Sequence, residues 1–120
     1  MLLQIRKTCE YVKLRYLQTG ELPQQEAAAY LLTCAVRECV TNAVRYAEAT
    51  ELYVTFGETQ TDATVTVTNN GLVPEGKVVE GGGLSTLRHR IERAGGTMTI
   101  RSQPRFELSV TVPKEKEGVL

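Results

Sequence analysis

The chain has 120 residues, 42% of them apolar and 23% charged, with 14 basic and 14 acidic side chains in balance. That size and composition suit one two-layer core and exclude a disordered tail. With zero net charge and no lysine- or arginine-rich run, a nucleic-acid or anionic-membrane surface is disfavoured.

Leu2, Leu3, Ile5 and Cys9 hint at a short helix over 2–10. From Tyr11 to Gln18, Val12, Leu14 and Tyr16 alternate with Tyr11, Lys13 and Arg15, which predicts a strand closed by Thr19-Gly20. A helix follows from about Gln24 to Ala47, free of glycine and proline, with Leu32, Val36, Cys39 and Ala43 facing inward. Glu51 to Gly57 and Ala63 to Asn69 alternate around the polar turn 58–62 and predict an antiparallel hairpin. Residues 70–82 hold Gly71, Pro74, Gly76, Gly81 and Gly82 and predict a loop. Leu84 to Ala94 reads as a helix with Leu87 and Ile91 inward, ended by Gly95-Gly96. Met98 to Ser102 and Leu108 to Pro113 predict a second hairpin, and 114–120 a frayed tail.

The order strand, helix, hairpin, helix, hairpin, with one apolar face on each helix, gives an α+β two-layer sandwich. Its sheet is mixed and mainly antiparallel, with helices on one side. The expectation is one domain over 1–120, with a core at about 11–113. Cys9, Cys34 and Cys39 lack metal-ligand spacing, and His89 is the single histidine, so buried reduced thiols are expected rather than zinc. Nothing approaches the ~20 apolar residues of a membrane span, and no signal peptide is visible. A soluble, cytosolic chain is expected.

Two stretches carry the chemistry. In Arg37-Glu38-Cys39-Val40-Thr41-Asn42-Ala43-Val44-Arg45-Tyr46-Ala47, helical spacing stacks Glu38, Asn42 and Arg45 on one stripe. Asn42 offers an amide oxygen to a hard cation such as magnesium, which keeps waters and phosphate oxygens as its other ligands. Glu38 is placed to orient a metal-bound water or to act as a base, and Arg45 to meet a phosphate. The second stretch is Asn69-Asn70-Gly71, then, after a short loop, Gly81-Gly82-Gly83-Leu84 opening a helix. Glycines let the backbone approach a ligand, and helix N-termini attract phosphate. No Walker A lysine follows, and no parallel βαβ unit surrounds this loop, so neither a P-loop nor a Rossmann fingerprint applies.

The segment RECVTNAVRYA resembles the asparagine box of the histidine-kinase, gyrase, Hsp90 and MutL ATPase superfamily. NNG and GGGLSTLRHRIERAGG look like its two glycine boxes, and the last looks most like the ATP-binding domain of bacterial sensor histidine kinases. The likeness covers roughly residues 24–113. It implies a Bergerat-type fold holding Mg-ATP between the helices, under a flexible lid at 72–80. Asn42 matches the magnesium-binding asparagine, Glu38 the acidic position, and Arg45 a basic position near the phosphates or ribose. Tyr46 matches the histidine or tyrosine beside the nucleotide. Gly71 matches the first glycine box, and Gly81 and Gly83, leading into Leu84, the second.

Three departures stand out. Asn69 replaces the usual aspartate, whose carboxylate accepts a hydrogen bond from the adenine amino group. Asn69 is expected to accept through its neutral amide oxygen, a weaker bond. Arg105-Phe106 replaces a Gly-Thr before the last strand. The family's phosphoacceptor histidine lies on a separate dimerising domain, and His89, inside the second box's helix, reads as a surface residue. The implied activity is phosphotransfer from Mg-ATP to a partner histidine, with a response regulator downstream. A serine kinase of the anti-sigma-factor type and a non-catalytic nucleotide-binding pseudokinase are the alternatives.

Overall fold

The computed structural model describes residues 1–73 and 81–114. Of the expected lid only Leu72 and Val73 lie among them, and of the expected tail only Lys114. The element order is α1 (Leu2–Tyr11), β1 (Arg15–Thr19), α2 (Glu26–Arg45), β2 (Glu51–Glu58), β3 (Asp62–Asn69), α3 (Gly82–Arg93), β4 (Thr97–Arg101) and β5 (Glu107–Pro113).

The strands form one sheet in the order β1-β2-β3-β5-β4. β1 runs parallel to β2, with α2 as the crossover between them, and every other pairing is antiparallel. Burial alternates along β3 and β5 because one sheet face meets the helices and the other does not. Val54, Phe56, Val65, Val67, Leu108 and Val110 point into the core with Leu32, Val36, Leu87 and Ile91 from α2 and α3. The opposite face is rich in hydroxyls, with Thr66 and Ser109 side chains 3.3 Å apart. This is the two-layer α+β sandwich that the alternation and helix stripes predict, and Leu32, Val36, Cys39 and Ala43 are all buried as expected.

The strand expected over 11–18 is shorter and starts later. Ile5 and Cys9 are one helical turn apart and bury together, which carries α1 as far as Tyr11. Lys13 then takes φ 60°, and the Leu14 N–H donates to the Cys9 carbonyl oxygen at 2.8 Å. That turn consumes the first residues of the apparent alternation, and only Arg15–Thr19 pairs with β2. No helix among the described residues is long and apolar enough to cross a membrane.

Cys9, Cys34 and Cys39 are buried free thiols. Burial pushes the Cys39 thiol far above its ordinary 9.0, with the nearby Glu38 carboxylate adding to the shift. Tyr16 is pushed up to about 12, chiefly by burial. Both groups hold their protons more tightly folded than unfolded. Stability is therefore fully present below their unfolded values and falls as pH climbs through 9 and beyond. Chemical denaturation at stepped pH is expected to show a decline beginning near pH 9. Native Cys39 is expected to resist iodoacetamide until the chain is unfolded.

Candidate functional site

α2 carries a long apolar face onto the sheet and leaves one polar stripe free. Glu38 and Asn42 on that stripe are half-buried, while Arg45, the last helical residue, is exposed. Seven residues at about 1.5 Å each put Glu38 and Arg45 roughly 10 Å apart along the axis. Neither the Glu38 carboxylate nor the Asn42 amide makes a hydrogen bond among the described residues, so both are available to a ligand.

β3 ends beside the C-terminal end of α2. Gly71 passes so close that a Cβ there would overlap the Ala47 carbonyl oxygen and sit 2.8 Å from the Ala47 Cβ. The next residue seals the junction, with Leu72 N–H donating to the Ala47 oxygen at 2.7 Å. Asn70 ties the same end to the α2–β2 connection. Its Oδ1 accepts from the N–H groups of Thr50 (2.9 Å) and Glu51 (2.8 Å), and its Nδ2 donates to the Thr50 hydroxyl.

α3 begins beside Glu38. A Cβ on Gly83 would overlap the Glu38 carboxylate as it stands, so the start of α3 lies directly against that side chain. No side chain caps this helix start and its first turn holds no acidic residue. The free N–H groups there face an anion-binding opportunity.

These three segments enclose a cavity of about 720 Å³. Glu38, Asn42, Arg45, Tyr46, Asn69, Gly81, Gly83 and Leu84 all line it. Gly71 is absent from the wall and acts behind it, by fitting against Ala47. Tyr46 is 70% exposed and stands at the rim. The cavity has two characters. Ala47, Asn69, Leu72, Val73 and Phe106 give a mainly apolar end, and Glu38, Asn42 and Gly81 to Gly83 a polar one. A smaller hollow of about 230 Å³ shares Glu38, Gly82 and Gly83 with the first and is flanked by Arg37 and Arg90.

Asn69 is 3% exposed, and its Oδ1 accepts the Gly71 N–H at 2.8 Å. One lone pair of the amide oxygen thus meets the backbone and the other is free for the base contact that the sequence leads one to expect, while Nδ2 makes no hydrogen bond among the described residues. Sequence reasoning also did not single out Thr41, Ala47, Leu72, Val73 or Gly82 as wall residues. Thr41 beside Asn42 in the asparagine box was the available signal, whereas Ala47 is identified only by its contacts to Gly71 and Leu72. Phe106 is buried in the wall, but its neighbour Arg105 turns away, its guanidinium 5.9 Å from the Tyr53 ring centroid. His89 is exposed on α3 and does not line the cavity.

The fold is shared with solved bacterial kinases. Acinetobacter baumannii histidine kinase AdeS is 14% identical over 95% of this chain and 61% of its own, with a TM-score of 0.69. The Erythrobacter litoralis EL346 blue-light activated histidine kinase is 15% identical over 99% of this chain and 42% of its own, with a TM-score of 0.77. The chain thus spans less than two thirds of those two proteins' resolved lengths. The catalytic domain of histidine kinase ThkA, in a nucleotide-free form, is 19% identical over 96% of this chain and 89% of its own, at TM-score 0.67. Residues 28–116 match the sequence model of a family described as histidine kinase-, DNA gyrase B-, and HSP90-like ATPase. The match takes in every segment that walls the cavity, and the chain belongs to that ATPase family.

Proposed function

We infer that this chain is the ATP-binding and catalytic part of a two-component sensor histidine kinase. It holds Mg-ATP and presents the γ-phosphate to a histidine on a separate dimerisation domain, from which a response regulator draws the phosphoryl group. The observation that carries this reading is the convergence of α2, the end of β3 and the start of α3 on one cavity whose ends differ in polarity. Its volume, about 720 Å³, falls in the range of small-molecule sites.

The residues present suit such a ligand. The flat base belongs among Ala47, Leu72, Val73 and Phe106, where Asn69 supplies a polar contact. The triphosphate belongs at the other end, against the uncapped N–H groups of Gly82, Gly83 and Leu84. Asn42 is the residue to hold magnesium, which when bound neutralises phosphate charge. Arg45 reaches the phosphates or ribose from the helix end, and Tyr46 covers the nucleotide at the rim. Glu38 stands where α2 meets the start of α3 and there orients a water or receives a proton. Beyond it, Arg37 and Arg90 flank the smaller hollow. Catalysis is then mainly positioning and charge neutralisation.

Titrating a non-hydrolysable ATP analogue by calorimetry, with and without magnesium, tests this directly. Magnesium-dependent binding is expected, with NMR shift changes concentrated at residues 38–47, 69–73 and 81–84. Absence of binding, or shifts confined to another face, overturns the reading.

A further inference from the structure

We propose that Arg37 and Arg90 form a seat for a carboxylate, supplied by an acidic side chain of the partner that brings the acceptor histidine. This rests on the function proposed above and adds the chemistry by which the partner's surface is recognised.

The seat is the smaller hollow, which lies between facing edges of α2 and α3. Arg37 comes from α2, and Thr86 and Arg90, about one helical turn apart, come from α3. At about 230 Å³ the hollow is smaller than the usual small-molecule pocket, so it suits one side-chain group rather than a whole ligand. Arg37, Thr86 and Arg90 are exposed, so that group can enter from another protein's surface. Through Glu38, Gly82 and Gly83 the hollow adjoins the polar end of the larger cavity, where the triphosphate belongs in the reading above. An acceptor has to arrive at that end.

Both guanidiniums are held in place without being neutralised. Arg37 Nη2 donates to Cys34 Sγ at 3.6 Å and its Nη1 to Met1 Sδ at 3.7 Å, and both sulfurs are weak acceptors. Arg90 Nη1 reaches across to α2 and donates to the Tyr30 hydroxyl at 3.2 Å. Neither arginine pairs with a carboxylate among the described residues, whereas Arg15, Arg88 and Arg101 each do. Glu38 shares the hollow, but its carboxylate lies against Gly83, at the boundary with the larger cavity. Two cations facing one anion leave a positive excess, to which the free N–H groups at the start of α3 add. Neutral sulfur and phenol contacts yield readily to a carboxylate, with which a guanidinium makes short, charge-assisted hydrogen bonds. A lone exposed ion pair is worth little, so the convergence of two arginines on one small hollow carries the argument.

The test is a nitrogen-15 NMR titration with an end-capped tetraglutamate peptide, run against the matching tetraglutamine peptide and against inorganic phosphate. Tetraglutamate is expected to shift the Nε–H signals of Arg37 and Arg90 and the amides of Gly82, Gly83 and Thr86, and tetraglutamine to leave them in place. An Arg37→Gln, Arg90→Gln double variant is expected to bind tetraglutamate about tenfold more weakly. Both side chains are exposed, so its melting temperature is expected to match the wild type, and the wild-type shift map decides the matter even if it does not. Shifts spread evenly over the exposed arginines, undiminished binding by a folded double variant, or tighter binding of phosphate than of peptide overturns the inference. Calorimetry with magnesium and a non-hydrolysable ATP analogue separates it from the reading it rests on. A double variant that no longer binds the analogue assigns the two arginines to the nucleotide and also overturns the inference. Peptide binding at Arg37 and Arg90 in a wild type that does not bind the analogue overturns the function proposed above and leaves the carboxylate seat standing.

Discussion

Replacing Asn42 by alanine is expected to remove magnesium-dependent nucleotide affinity, by about 100-fold or more, while leaving the fold intact. Magnesium takes oxygen ligands and accepts few from protein, so the loss of one well-placed amide oxygen is severe. No second neutral oxygen ligand lies on the same stripe. The loss is separable from misfolding for a local reason. The Asn42 side chain makes no hydrogen bond among the described residues, and alanine is the better helix former by several tenths of a kcal/mol. The melting temperature is therefore expected to hold or rise slightly as magnesium-dependent binding disappears. Affinity in the absence of magnesium is expected to match the wild type. A variant whose magnesium-dependent affinity is unchanged removes Asn42 from the ligand's surroundings.

Gly71→Ala is expected to damage stability and binding together. The added methyl would lie against the Ala47 carbonyl oxygen and 2.8 Å from the Ala47 Cβ, so the end of β3 or the end of α2 has to shift. Such overpacking costs about 1–3 kcal/mol, or a melting temperature lower by roughly 5–15 °C for a domain of this size. The Leu72–Ala47 and Gly71–Asn69 hydrogen bonds stretch with it, and both shape the apolar end of the cavity. Gly81→Ala is the contrasting control. Nothing lies within 4 Å of a Cβ at Gly81, and its φ of −95° suits any residue. Its melting temperature is expected to stay within a degree or two of wild type. If Gly71→Ala is tolerated as readily as Gly81→Ala, the close approach to Ala47 has no energetic weight.

Periodicity made most of the fold legible. The α2 stripe of Leu32, Val36, Cys39 and Ala43 and the alternation in β3 leave little choice of face. It misled at the N-terminus because a helix ending at Tyr11 and a left-handed Lys13 produce the same apolar spacing as a strand. Of the site, the residues on regular elements were legible, since helix geometry alone stacks Glu38, Asn42 and Arg45. What three-dimensional contact determines was not. The direction of the Asn69 amide depends on the Gly71 N–H, and the wall position of Ala47 depends on a glycine 24 residues later in the chain. Nor does the glycine pattern tell apart the members of the two glycine boxes. Gly71 and Gly83 answer to steric contact with α2, while Gly81 and Gly82 stand in open space.

The triple hydrogen bond from Asn70 has a mechanical corollary. By clamping Thr50 and Glu51, it welds the tip of β3 to the start of β2 as one stiff anvil. Any breathing that accompanies cargo entry or exit then falls to the opposite jaw, the uncapped start of α3, where Gly83 lies against the Glu38 carboxylate.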